Sequence, residues 1–222
     1  MVELFNEGKR QYYNVDGIKV YIRDNEGKKI YTSNEFIDIS YNSTLIHPLN
    51  RVSCTLSNFF PHDFYFRHHH VRSVEGVLQG FKFKDILLQK ESFKHYGRDA
   101  YAFGSAAFSN DWRCDGYLYF EGEKVDRFGI EYQKLLNELY VSLSLKKAFE
   151  NNLIYTGNRV LLHSVGVLDP RETVLTTKEY ILRLEILREC LKENKNPTQK
   201  LRYLAEVISE VYEEESYRKK LN

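Results

Sequence analysis

The period of the apolar positions changes along the chain, and the changes mark out its elements. Ile18-Lys19-Val20-Tyr21-Ile22 alternates, Asp24-Asn25-Glu26-Gly27 is a turn signal, and Lys29-Ile30-Tyr31-Thr32 reads as the returning strand. Residues 42–61 carry Pro48 and Pro61 and read as loop with short strands. From about Ser73 to Leu88 the pattern is helical, and it is helical again through Tyr132, Leu135, Leu136, Leu139 and Leu143. Between these stretches residues 99–125 are rich in glycine and aromatics, and Tyr117–Phe120 before Glu121-Gly122-Glu123 predicts a strand and hairpin turn. Thr176 and Glu179 form a T-x-x-E capping box ahead of Tyr180, Leu184, Leu187 and Leu191. Asn196-Pro197 sets an N-cap and an N1 proline before Leu201, Leu204, Ile208 and Val211. Glu213-Glu214-Glu215 and Lys219-Lys220 read as a solvated, fraying end. The fold expected is α+β: one mainly helical domain with a small antiparallel sheet near the N-terminus and in residues 99–125.

Composition narrows the class. The 222 residues are 42% hydrophobic and 28% charged, enough for a core that needs neither disulfide nor metal. A net charge of +1 excludes a broad nucleic-acid footprint but leaves room for a local basic patch. Cys54, Cys114 and Cys190 are odd in number and widely spaced, which fits a reducing compartment. The first residues lack a signal peptide's apolar run, and no stretch approaches the ~18 apolar residues of a membrane span. The expected location is the cytoplasm, with no membrane partner. P-loop, G-x-G-x-x-G, H-E-x-x-H and G-x-S-x-G motifs are all missing, which argues against the commonest NTPase, dehydrogenase and hydrolase classes.

The most informative chemistry lies in Ser73–Phe83. On a helix, Glu75, Gln79 and Lys82 stand at i, i+4 and i+7, a stripe about 60° wide. Val74, Val77, Leu78 and Phe81 border it on one side and Phe83 on the other, while Gly76 and Gly80 share a third arc open to close approach. Two readings are open: an acid, an amide and an amine aimed into one cleft, or a solvated stripe with local contacts. Asp126-Arg127 is either a local ion pair or a substrate contact, and Trp112 either a buried anchor or a stacking surface. His68-His69-His70 is a poor metal triad, because neighbours on a strand face opposite ways. No metal-ligand spacing is found, and no metal or other cofactor is expected.

Ser57-Asn58-Phe59, then Ser73-Val74-Glu75, Gln79 and Lys82 resemble the S-N-F, [ST]-x-E and Q-x-x-K signature of the NADAR (NAD- and ADP-ribose-associated, YbiA-like) family. Gly97-Arg98 matches its G-R step. Phe149, Asn152, Leu153, Thr156-Gly157, Leu161 and Asp169 resemble its later K-F-x-x-N, L-x-x-T-G, L and D positions, with Ala148 in place of the lysine. Gly76, Leu161-Leu162-His163-Ser164 and Pro170-Arg171 depart from the family pattern, and residues 99–125 look like an insertion. The resemblance divides the single domain into a β-rich extension (1–55), a family core (56–191) and a C-terminal helix (192–222).

The resemblance implies cleavage of a C1′–N glycosidic bond, through an oxocarbenium-like transition state, in an ADP-ribosylated or ribosylated base. Its sharpest form is removal of ADP-ribose from guanine in nucleic acid. Alternatives are an N-glycosidase of riboflavin-pathway ribosylaminopyrimidine phosphates and a non-catalytic ADP-ribose or NAD-binding module. A helical interaction protein with no cleft at Glu75 is a further reading. In the enzymatic readings Glu75 is the general acid/base and Gln79 orients substrate. Lys82 either binds phosphate or attacks C1′ as a neutral amine. Arg98 is a candidate phosphate fork, Ser57, Asn58 and Phe59 line the base or ribose pocket, and His163 and Asp169 are further substrate-binding candidates.

Overall fold

The computed structural model describes residues 4–15, 18–21, 23, 25–28, 36–40, 51–106 and 111–214. The expected returning strand at 29–32, residues 42–50 of the expected loop and the end beyond 214 lie outside these residues. Strands β1 (Leu4–Glu7), β2 (Arg10–Val15) and β3 (Ile18–Tyr21) form an antiparallel meander, so β3 pairs with the strand before it. Strand β4 (Phe36–Asp38) leaves this sheet and pairs in parallel with β9 (Val160–Leu162), a pairing with no local sequence signal. Helix α1 (Arg51–Leu56) replaces the loop expected there, with Val52 through Leu56 all buried. Two hairpins follow the same antiparallel rule: β5 (Phe64–Phe66) with β6 (His69–Val71), and β7 (Tyr117–Phe120) with β8 (Glu123–Asp126).

The helix expected over Ser73–Leu88 is two helices. The first, α2 (Val74–Gly80), starts at Ser73, whose Oγ accepts from Gly76 N at 2.9 Å. The second, α3 (Ile86–Ser92), starts at Asp85, whose carboxylate accepts from Leu87 N and Leu88 N. Lys82 N and Phe83 N bond back to Gln79 O and Gly80 O, so Lys82 keeps the helical phase for one tightened turn. The glycine arc does what bare backbone permits: a Cβ on Gly76 would lie 2.8 Å from His95 O, and one on Gly80 2.5 Å from the Phe93 ring.

Helices α4 (Gly97–Gly104) and α5 (Trp112–Asp115) occupy the region read as an insertion. The long helices are α6 (Ile130–Ser144), α7 (Lys147–Tyr155), α8 (Thr177–Lys192) and α9 (Thr198–Glu214). Their apolar faces meet in one core that includes Phe81, Trp112, Tyr132, Leu136, Tyr140, Phe149, Tyr180 and Leu184. The Thr176–Glu179 capping box is present, and Asn196 Oδ1 accepts from Thr198 N at the start of α9. No helix among the described residues is long and apolar enough to cross a membrane.

The histidine triplet does not run along one strand. Residues 67 and 68 form the β5–β6 turn and His69 opens β6. His70 packs against Tyr65, while the His68 and His69 rings lie 4.0 Å apart. The alternation rule therefore separates His70 from the other two but does not separate His68 from His69.

Candidate functional site

Two neighbouring cavities meet along the polar stripe of α2. The first, of about 240 Å³, is lined by Ser57, Asn58 and Phe59, by Glu75 and Gln79, and by His163 and Tyr180. The second, of about 460 Å³, is lined by Gln79, Lys82, Gly104, Ser105, Trp112 and Arg113, with the acids Asp111 and Glu172 at its wall. Gln79, Tyr101, Val167, Thr173 and Val174 belong to both.

The stripe is buried and wired in series. Gln79 Nε2 donates to Glu75 Oε1 at 2.7 Å, and Lys82 Nζ donates to Gln79 Oε1 at 2.5 Å and to Gly104 O at 3.5 Å. Reversing the amide would turn its NH₂ on the ammonium and its oxygen on the carboxylate, so the neighbours fix its orientation. Burial raises the Glu75 pKa, and the bond from Gln79 and the charge of Lys82 only partly offset this. Burial lowers the Lys82 pKa to about 8; Glu75 opposes the shift and Arg113 adds to it. An acid whose pKa burial raises and an amine whose pKa burial lowers are thus linked through one amide.

The other walls are held by backbone-directed bonds. Asn58 O accepts from Glu75 N at 2.9 Å, and Asn58 Oδ1 accepts from Tyr140 Oη at 2.8 Å. Phe59 N donates to Ser57 Oγ. At the ends of β4 and β9, Asp38 accepts from Ser40 N, Ser164 N and Ser164 Oγ, and His163 Nδ1 lies 3.4 Å from Ser40 Oγ. Residues 36–40, expected as part of an extension, therefore contribute Ile39 and Ser40 to the first cavity.

Arg98, Asp126, Arg127 and Asp169 are not among the residues lining either cavity. Arg98 is exposed on α4, which presents Tyr101 and Gly104 instead, residues three apart on one face. Arg127 is fully buried in a two-pronged ion pair with Glu179, at 2.9 and 2.8 Å, so its partner is on α8 and not at Asp126. Asp126 accepts from Phe128 N in the turn after β8. Asp169 accepts from Arg171 N and pairs with its guanidinium.

Sequence reasoning missed Arg113, Tyr101 and the wall Thr173–Leu175. Arg113 lines the second cavity, donates to Glu172 O at 2.8 Å and lies over the Trp112 ring. Trp112 Nε1 is buried with no hydrogen-bond partner among the described residues, and another part of the residue lines that cavity. The wall is anchored from behind: Arg127 Nε donates to Thr173 O and Tyr132 Oη to Val174 O. Arg127 thus bonds to the wall from outside both cavities.

Comparison with known proteins places the chain in context. It is 32% identical over 142 residues to the "Uncharacterized 17.1 kDa protein in Gp30-rIII intergenic region" of Enterobacteria phage T4, a match covering 63% of this chain and 91% of the phage protein. No solved structure matches. The family model "Bacteriophage protein GP30.3" matches residues 50–189, which include α1, the α2 stripe, both hairpins and most of α8. The chain therefore belongs to the bacteriophage GP30.3 family.

Proposed function

We propose that the protein hydrolyses the N-glycosidic bond of an ADP-ribosylated or ribosylated base. The observation that carries this reading is the buried Glu75–Gln79–Lys82 relay, which joins a carboxyl in one cavity to a cation in the next. The first cavity supplies the aromatic walls of Phe59 and Tyr180 and a single carboxyl, Glu75, among its described lining residues. The second offers Lys82 and Arg113, donors suited to phosphate oxygens. A ligand with a ribosyl base at one end and phosphates at the other fits that division.

In this reading C1′ sits by Glu75, which gives its proton to the leaving nitrogen as the C1′–N bond breaks. Water then adds to C1′ and returns a proton to the carboxylate. Lys82, beside Arg113, holds phosphate in its cationic form. The S-N-F, [ST]-x-E and Q-x-x-K matches form the relay and the Ser57–Phe59 wall, which supports the same chemistry, whereas the matches at Arg98 and Asp169 lie outside both cavities.

The test is incubation with ADP-ribosylated DNA, with NAD and with a ribosylaminopyrimidine phosphate, reading released base by mass spectrometry. Release from one of these, reduced by about 10² to 10⁴ in Glu75→Gln with binding retained, is the expected result. Binding without release in the wild type would leave a non-catalytic module, and neither binding nor release would end the reading.

A further inference from the structure

Away from both cavities, the tips of two hairpins meet. The β5–β6 turn passes through Arg67 at φ 51° and brings His68 and His69 to the same side. The β7–β8 turn passes through Glu121 at φ 54° and Gly122 at φ 85°. Two positive φ angles are the mark of a type I′ turn, whose first position favours Asn, Asp or Gly and carries a strain penalty for Glu. Glu121 is nonetheless held firmly there: its N–H donates to Gln89 Oε1 at 2.8 Å, and Gln89 Nε2 donates to Tyr119 O at 2.8 Å.

One oxygen of Glu121 receives both imidazoles. Its Oε1 lies 2.8 Å from His68 Nε2 and 3.0 Å from His69 Nε2. The His69 ring is nearly buried and is gripped edge-on by Phe93 and Phe120. His68 is exposed, so the cluster opens to solvent on its side. One ligand atom from each residue falls within 4.8 Å of the others. Around a tetrahedral ion with ~2.0–2.2 Å bonds, such atoms stand about 3.3 Å apart. The two nitrogen–oxygen distances, 2.8 and 3.0 Å, lie close to that spacing, and the exposed His68 ring has room to rotate.

We propose that His68, His69 and Glu121 bind one divalent transition-metal ion, with Zn²⁺ as the representative probe. Two imidazole nitrogens and one carboxylate oxygen suit the borderline cations, whereas Mg²⁺ and Ca²⁺ require a shell of oxygens. Water completes the coordination. The ion replaces hydrogen bonds between the hairpin tips with coordinate bonds and staples β5–β6 to β7–β8. The site is separate from the relay and does not depend on the glycosidic reading.

The test is titration of the metal-stripped protein with Zn²⁺ against a chromophoric chelator, with Mg²⁺ in parallel. One equivalent should bind, with X-ray absorption showing two imidazoles, and Mg²⁺ should not compete. His68→Ala should weaken binding by about tenfold or more, and His70→Ala should leave it unchanged. Glu121→Gly suits the left-handed turn, so this variant should fold and melt no lower than wild type without metal, yet lose the ion. Absence of binding, binding that survives both His68→Ala and Glu121→Gly, or binding lost in His70→Ala would overturn the proposal.

Discussion

At the scale of single residues, Lys82 divides the chemistry most sharply. Its pKa is brought down to about 8 by burial, with Arg113 adding to the shift and Glu75 resisting it. A cation that holds phosphate works below that value and is lost above it. A neutral amine that attacks C1′ works above it and is lost below. Substrate affinity should therefore weaken as pH rises through about 8, and Lys82→Arg, which keeps its charge, should abolish that titration while retaining binding. A rate that climbs through the same range, with an inactive Lys82→Arg and a borohydride-trapped sugar adduct, would make Lys82 the nucleophile. Glu75, Gln79 and Lys82 were legible in the sequence because helical phase puts them on one line and the resemblance to the NADAR signature singles that line out as a site. Arg113 was not, because its approach to Lys82 depends on where α5 is packed. Arg98 was misleading for a similar reason: a motif match fixes a position in the chain but not the direction of a side chain on α4.

At the scale of elements, the relay depends on how closely α4 crosses α2. A Cβ built on Gly104 would lie 2.1 Å from Gln79 Oε1 and 2.5 Å from Gln79 Cβ. The amide could swing away, but the Cβ position is fixed by the α2 backbone, so the helices would have to separate. Gly104→Ala should cost about 1–3 kcal/mol, as overpacking does. Its greater effect should fall on the relay, because the displaced amide would no longer link Glu75 to Lys82. Steady-state kinetics and thermal melting of the same variant check this: turnover should fall well beyond what the unfolded fraction explains. An unchanged pH profile would mean that Gln79 does not couple the two ends. The pattern that revealed the stripe also overran it. Apolar periodicity continued to Leu88, and it concealed the break that Asp85 makes by capping a new helix. Helix α1 was hidden between Pro48 and Pro61, because Arg51-Val52-Ser53-Cys54-Thr55-Leu56 alternates polar and apolar residues and shows no helical period.

At the scale of the molecule, elements distant in sequence are joined through one buried carboxylate. Glu179 accepts from both Arg127 Nη atoms, from Gln133 Nε2 at 2.6 Å and from Thr176 N at 2.6 Å. Arg183 completes the cluster by donating to Gln133 Oε1 and Glu179 O. Burial pushes the Glu179 carboxyl up, but Arg127, Arg183 and the Thr176 N–H more than reverse this and hold it below the ordinary value. The T-x-x-E capping box was read from sequence, yet the same glutamate's pairing with Arg127, 52 residues away, leaves no local trace. The parallel β4–β9 pair is silent for the same reason, since strand partners 124 residues apart share no pattern. Glu179→Gln keeps the shape but leaves two guanidinium groups buried without their counter-charge. It should cost about 3–5 kcal/mol, the usual consequence of breaking a buried pair from one side. The double replacement Arg127→Leu with Glu179→Leu should recover part of that loss, because it removes the ion pair from both sides and leaves Arg183 as the only cation. Denaturant unfolding of the three proteins measures both effects. The wall Thr173–Val174 should loosen in Glu179→Gln even where the protein stays folded, because Arg127 Nε holds Thr173 O. Faster amide exchange there than in α9 would show that the network positions the wall; uniform exchange would make it a stabilising element only.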